Sequence, residues 1–321
     1  MKRRDFLKTA ALTGLAGTMN AVGVNCGGNK SEKKVVEAEK TGETNYPKST
    51  DLIAVMNGTP EAMFDKAVAE IGGMGKFIEK GYKVVVKPNI GWDRSPELAA
   101  NTNPELVAAI VKSCLEAGAG EVVVFDHTCD DWKLTYKNSG IEDAVKKAGG
   151  KITFGHEEKY YKTVSLPKGK RLKETQIHED ILDCDAWINV PVLKHHGGAN
   201  MTISMKNYMG IVWDRRYFHG NDLQQCIADC CTYVKQPVLN IIDAYRVLKS
   251  NGPKGRSESD VVDAKALFMS SDIVAVDTAA VKFFNQISEM KLEDVGHIAK
   301  GEEFNLGTTD LDKLNVKQFK L

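Results

Sequence analysis

From Leu52 onward the chain alternates short apolar runs with stretches whose apolar residues recur at helical spacing. Leu52-Ile53-Ala54-Val55-Met56 reads as a strand. Thr59-Pro60-Glu61 then supplies an N-cap hydroxyl, a first-turn proline and a first-turn acid. Met63, Phe64, Ala67, Val68 and Ile71 line one face of the helix that follows. Residues 82–86 form the next strand, which ends in Lys87-Pro88-Asn89. Asn103-Pro104-Glu105 opens a second helix with Leu106, Val107, Ile110, Val111 and Leu115 on one face, and Gly118-Ala119-Gly120 leads from it into the strand-like run 121–126. Repeated strand–helix–strand units with continuously apolar strands predict an α/β fold, a largely parallel, Rossmann-like sheet flanked by helices.

The rhythm changes at Lys151. Residues 163–166 and 171–176, around Pro167-Lys168-Gly169-Lys170, predict an inserted β-hairpin. Alternation resumes with apolar runs at 186–190, 238–243 and 266–269, and a last apolar helix covers 272–284. Asp272 is its expected N-cap. With no linker after Thr50, residues 51–321 are expected to form one α/β domain.

The first fifty residues follow different rules. Lys2-Arg3-Arg4-Asp5-Phe6-Leu7-Lys8, followed by a weakly apolar run from Thr9 to Val24, resembles a twin-arginine export signal. The run is broken by Gly14, Gly17, Asn20 and Gly23, and falls short of the roughly 20 apolar residues of a spanning helix. Residues 1–30 are therefore expected to be a signal peptide and 31–50 a polar tether, with a periplasmic destination. Cys26 leaves two outcomes open: lipidation, which would be the only attachment to a membrane, or simple cleavage and release. Gly23-Val24-Asn25 matches the usual lipidation motif poorly.

Composition removes several function classes. The 43 Lys+Arg balance 43 Asp+Glu, so the electrostatic basis for non-specific nucleic-acid binding is missing. Seven cysteines in 321 residues are too sparse for a disulfide scaffold. Cys226 and Cys230 share a stripe with Leu223, Ile227 and Val234, which, with Cys231 beside them, predicts small core residues rather than cluster ligands. No Cys-x2-Cys-x2-Cys run occurs, which argues against an iron–sulfur cluster in this chain. Gly-x-Ser-x-Gly, His-Glu-x-x-His and a Walker loop are also absent, and Gly72-Gly73-Met74-Gly75 sits late in a helix rather than after a strand.

Open parallel sheets bind ligands beyond the carboxyl ends of their strands. Those ends deliver Lys87 and Asn89, Asp126 and His127, then Lys194, His195 and His196, and finally Asp243. The segment 194–210 joins a basic, glycine-containing loop to a stretch with helical spacing, which puts Thr202, Lys206 and Gly210 on one face with Asn207 beside them. Backbone N–H groups at the start of that helix, with Lys194 and Lys206, would attract an anion. Lys87, Asn89, Lys194, Lys206 and Asn207 are thus the expected ligand-binding set. Asp126, His196, His219 and Asp243 are the expected acid–base groups. Asp126, His196 and Asp243 are also candidate ligands for a divalent metal. The basic loop Gly252-Pro253-Lys254-Gly255-Arg256 is placed to cover a ligand.

Lys87-Pro88-Asn89, Asn101-Thr102-Asn103-Pro104, Lys194-His195-His196, Met205-Lys206-Asn207-Tyr208-Met209-Gly210 and Asp272-Ile273-Val274-Ala275-Val276-Asp277 together resemble the domain-of-unknown-function 362 family over residues 51–285. The resemblance implies no particular reaction. Many of its members carry a ferredoxin-like module with two cysteine-rich motifs, a pattern this sequence lacks, so any electron transfer would need a separate redox partner. Two functions are expected: a reductive or metal-assisted enzyme acting on a small anionic substrate, or a non-catalytic periplasmic or lipid-anchored protein that binds an anionic ligand or a redox partner.

Overall fold

Val84-Val85-Val86 and Val122-Val123-Val124 are apolar at every position because both of their faces are covered. The computed structural model describes residues 51–321; the expected export signal, Cys26 and the tether lie outside the described residues. The strands are β1 (Asp51–Met56), β2 (Lys83–Pro88), β3 (Glu121–Val124), β4 (Lys151–Ile152), β5 (Tyr161–Ser165), β6 (Glu174–His178), β7 (Ala186–Val190), β8 (Val192–His196), β9 (Asn200–Thr202), β10 (Leu239–Leu248), β11 (Val261–Ser270) and β12 (Asn315–Lys320). The helices are α1 (Pro60–Ile71), α2 (Pro104–Glu116), α3 (Trp132–Asn138), α4 (Ile141–Lys147), α5 (Glu179–Asp183), α6 (Ser204–Asn207), α7 (Arg215–Gly220), α8 (Leu223–Cys230), α9 (Ile273–Phe284) and α10 (Gly296–Glu303).

The main sheet runs β12-β1-β11-β10-β7-β2-β3-β4, and β5-β6 is the separate inserted hairpin. The fold is mixed α/β, with a mostly parallel central sheet flanked by helices. β11 is the exception on that path, antiparallel to both β1 and β10. Its direction follows from its connection: the short segment between β10 and β11 holds no α-helix that could cross over to start a parallel strand. The buried Asp260 carboxylate gathers that segment by accepting from Ser250 Oγ (2.9 Å), Asn251 Nδ2 (2.7 Å) and the Arg256 amide (2.8 Å).

Alternate strand residues feed two cores. Val84, Val86, Val122, Val124, Ile188 and Ile241 pack with Phe64 of α1 and Ile110 of α2. Val85, Val123, Trp187, Ile242 and Phe268 pack on the opposite side with Val164 and Ile177 of the hairpin, Cys226 and Cys230 of α8, and Val274 of α9. The cysteines of the α8 segment are therefore core residues. Pro191 separates β7 from β8, yet both pair in parallel with β10, so the chain continues along one edge and carries Lys194 past the strand ends.

The expected helix through Thr202, Lys206 and Gly210 does not form. Thr202 ends β9, which pairs back on β8 in the register Lys194↔Thr202. α6 is a single turn, and Gly210 sits in the 3-10 turn after it. Nor is the start of α6 open to an outside anion. Asp277, buried on α9, accepts from the backbone N–H groups of Ser204 (2.7 Å) and Met205 (2.8 Å). Burial raises the Asp277 carboxyl to about 7, against the pull of those two donors. Asp277→Ala leaves both amides without their acceptor and is expected to cost about 2–4 kcal/mol in denaturant unfolding. A loss under about 1 kcal/mol would show that α6 does not depend on this carboxylate.

Candidate functional site

A row of polar residues crosses the otherwise apolar sheet face beneath α6. Lys87 stands beside Asn189, Asn189 beside Asn240, and Asn240 beside Ser270, on four adjacent strands. All four are buried. Lys87 is fully enclosed, and each of its three N–H directions has a protein partner: Asp126 Oδ1 at 2.8 Å, Asn207 Oδ1 at 2.9 Å and the Pro88 carbonyl at 2.9 Å. Burial pulls the amine below its ordinary pKa, and the Asp126 carboxylate opposes that shift. The other oxygen of Asp126 accepts from the Ile90 amide at 2.6 Å.

Asn207 ties this pair to the rest of the row. Its oxygen also accepts from Asn89 Nδ2 (3.2 Å), and its amide donates to the Lys87 carbonyl (3.2 Å) and to Asn189 Oδ1 (2.9 Å). Asn189 in turn donates to Asn240 Oδ1 (3.0 Å) and to the Ser204 carbonyl (2.9 Å). Gly210 lies directly over the pair; a side chain there would collide with Asp126 and Lys87. Lys87 and Asn207 therefore build the floor of the site and keep no donor for a ligand, which corrects the expectation that they contact one.

Above this floor, Lys194 donates to Asn89 Oδ1 (2.9 Å) and the Ala100 carbonyl, with one N–H direction unused. Asn89 is thus a positioning group, also anchored through its backbone N–H to Thr102 Oγ1 (2.8 Å). Burial lowers Lys194 to about 7, helped by Lys206 and Lys87. Lys206 is only partly buried and has no hydrogen-bond or ion-pair partner among the described residues. Burial lowers it to about 8, with Arg215 and Lys87 adding to the shift and Cys129 and Asp126 opposing it. Arg215, which sequence patterns did not single out, is fixed by the carbonyls of His127 and Thr128 (both 2.7 Å) and by Cys129 Sγ (3.3 Å). It lies in an unremarkable Arg-Arg pair, and only the tertiary fold selects it.

The histidines take definite forms. His196 Nδ1 accepts from the amides of Gly198 and Ala199, both at 3.1 Å, so its proton is on Nε2. Burial, with Lys206 and Lys194 nearby, drives its pKa to about 2, and it stays neutral at working pH. His219 is exposed and also shifted down, by desolvation and then by Lys206 and Arg215. His127 is held at the Val212 carbonyl (2.8 Å), stacked on Trp213, and lowered to about 4 by burial. His195 accepts from the Gly252 amide at 3.1 Å, and Lys254 pairs with Asp130 at 2.7 Å, so the basic loop is docked onto the rim.

The three candidate metal ligands are engaged separately. Asp126 is paired with Lys87, and His196 Nδ1 is taken by two amides. Asp243, raised to about 6 by burial, accepts from the amides of Asn103 (2.7 Å) and Tyr245 (3.0 Å). Among the described residues no group of three His, Cys, Asp or Glu side chains is arranged to hold a metal ion. Asp243 secures the entry to α2 through the Asn103 amide. What the fold gathers is cationic: Lys194, Lys206 and Arg215, with the neutral His196 donor and His219 beside them.

Comparison with known proteins bears on the family. The thylakoid-associated protein sll1697 of Synechocystis sp. is 25% identical over 215 residues, which is 64% of this chain and 64% of that protein. The lactate racemase apoprotein from Thermoanaerobacterium thermosaccharolyticum superposes with a TM-score of 0.46 at 14% identity, covering 74% of this chain and 57% of that one. The family model described as "Domain of unknown function (DUF362)" matches residues 84–282, which takes in α6 and most of β2 and α9, and with them the whole lysine cluster. The chain belongs to the DUF362 family.

Proposed function

We propose that this is an exported protein that binds a small anionic ligand at the strand ends, held by Lys194, Lys206 and Arg215 and oriented by the neutral N–H of His196. One observation carries the reading: among the described residues, none of these three cations has a carboxylate partner, while Asp126, the carboxylate that acts on Lys194 and Lys206, is spent on Lys87. Uncompensated like charges in a half-buried site are unfavourable until an anion arrives. A ligand that restores one pKa unit to an amine recovers about 1.4 kcal/mol for each amine so restored. Export rests on the Arg3-Arg4 pattern and the weakly apolar run that follows it.

Sulfate tests the reading because its charge is constant between pH 6 and 9. It should raise the melting temperature, with apparent affinity falling about tenfold or more from pH 6 to pH 9 as Lys194 and Lys206 lose their protons. Affinity that is flat or rises with pH would contradict the assignment. Lys206→Met should abolish the sulfate effect with an unliganded stability change within about 1 kcal/mol, because the amine has no partner to lose. Lys87→Met should instead cost about 3–5 kcal/mol by stranding Asp126 in the interior. Equal losses in the two variants would make Lys206 a structural lysine.

A further inference from the structure

Three lysines converge at the strand ends, and they differ in what their amines can do. Lys87 is fully buried with every N–H direction occupied. Lys194 is buried and held by two acceptors. Lys206 alone is partly accessible and touches no acceptor; burial, Arg215 and Lys87 favour its neutral form against the opposing Cys129 and Asp126, and a neutral imidazole N–H lies in the same cluster. An amine becomes a nucleophile when desolvation and neighbouring cations favour its uncharged form.

We propose that Lys206 forms a covalent imine with a small anion that carries an aldehyde or ketone carbonyl. This rests on the anion-binding reading and names the substrate class for it. Lys194 and Arg215 hold the acidic group of the substrate, and His196 Nε2–H polarises the carbonyl oxygen. The lone pair of neutral Lys206 Nζ attacks the carbonyl carbon, the C–N bond forms, the C=O π pair moves to oxygen, and one proton passes from the resulting ammonium nitrogen to that oxygen. The carbinolamine then gains a second proton on that oxygen, loses water and gives up its N–H proton as the C=N bond closes. Amine and carbonyl become imine and water, with no oxidant or reductant. Lys206, lowered to about 8, presents roughly two orders of magnitude more free amine at neutral pH than an ordinary lysine.

Glyoxylate, the smallest carboxylate bearing an aldehyde, is a direct probe. The folded full chain is incubated with glyoxylate and cyanoborohydride at neutral pH and the adducts are mapped by peptide mass spectrometry. Lys206 should be labelled at least about tenfold faster than any other lysine, more selectively by glyoxylate than by uncharged propionaldehyde, and more slowly when sulfate competes. Lys206→Arg, which retains the charge, should remove the adduct. Labelling spread evenly over surface lysines, or an adduct at Lys206 that ignores sulfate, overturns the proposal. Melting of the same preparation separates the two readings. Stabilisation by sulfate without a selective Lys206 adduct overturns the imine and leaves anion binding standing. No stabilisation by sulfate overturns anion binding, and the imine with it.

Discussion

A lysine enclosed at the end of a parallel strand has to be neutralised and fully hydrogen-bonded, and the Lys87–Asp126 pair, completed by Asn207, meets that demand. Much of the site's architecture follows from it. Asn207 must sit where its oxygen can reach Lys87, so α6 must start directly above the sheet, and Asp277 fixes that start through two backbone amides. Gly210 must lack a side chain because the pair occupies the space beneath it. The apolar face of the sheet is interrupted by one polar row, and that row is continuous from Lys87 through Asn189 to Asn240.

Spending Asp126 on Lys87 leaves the upper layer unbalanced. Lys194, Lys206 and Arg215 share the space beyond the strand ends without a carboxylate of their own. Neutral groups, the Asn89 oxygen and the backbone carbonyls, fix Lys194 and Arg215 in position without cancelling their charge. Such a site is hydrogen-bonded where it is built and cationic above, the arrangement on which the proposed anion recognition rests. The electrically silent His196 adds direction without adding charge.

The architecture was largely legible because strands covered on both faces must be apolar throughout, and because Thr59, Asn103 and Asp272 carry helix-start chemistry. Other elements left weaker traces. β12 is mostly exposed and held by backbone pairing to β1, so it has little apolar pattern to read. The direction of β11 depends on its connection to β10 rather than on its own residues. At the site, the lysines could be placed at strand ends from sequence, but their occupancy could not. That Lys87 and Asn207 are saturated while Lys206 is unpartnered is a property of distances between residues far apart in the chain. The same holds for Asp277 and Arg215, whose local sequences resemble any helix acid or surface arginine.

If the proposed function holds, the cations beyond the strand ends form one receptor for an anion. A crystal structure of the protein soaked in selenate tests this most directly, because selenium is located by its anomalous signal. A selenate is expected within hydrogen-bond distance of Lys206 Nζ and in contact with Lys194 or Arg215, above an intact Lys87–Asp126 pair. Anomalous density only at scattered surface lysines, with this position empty, would contradict it.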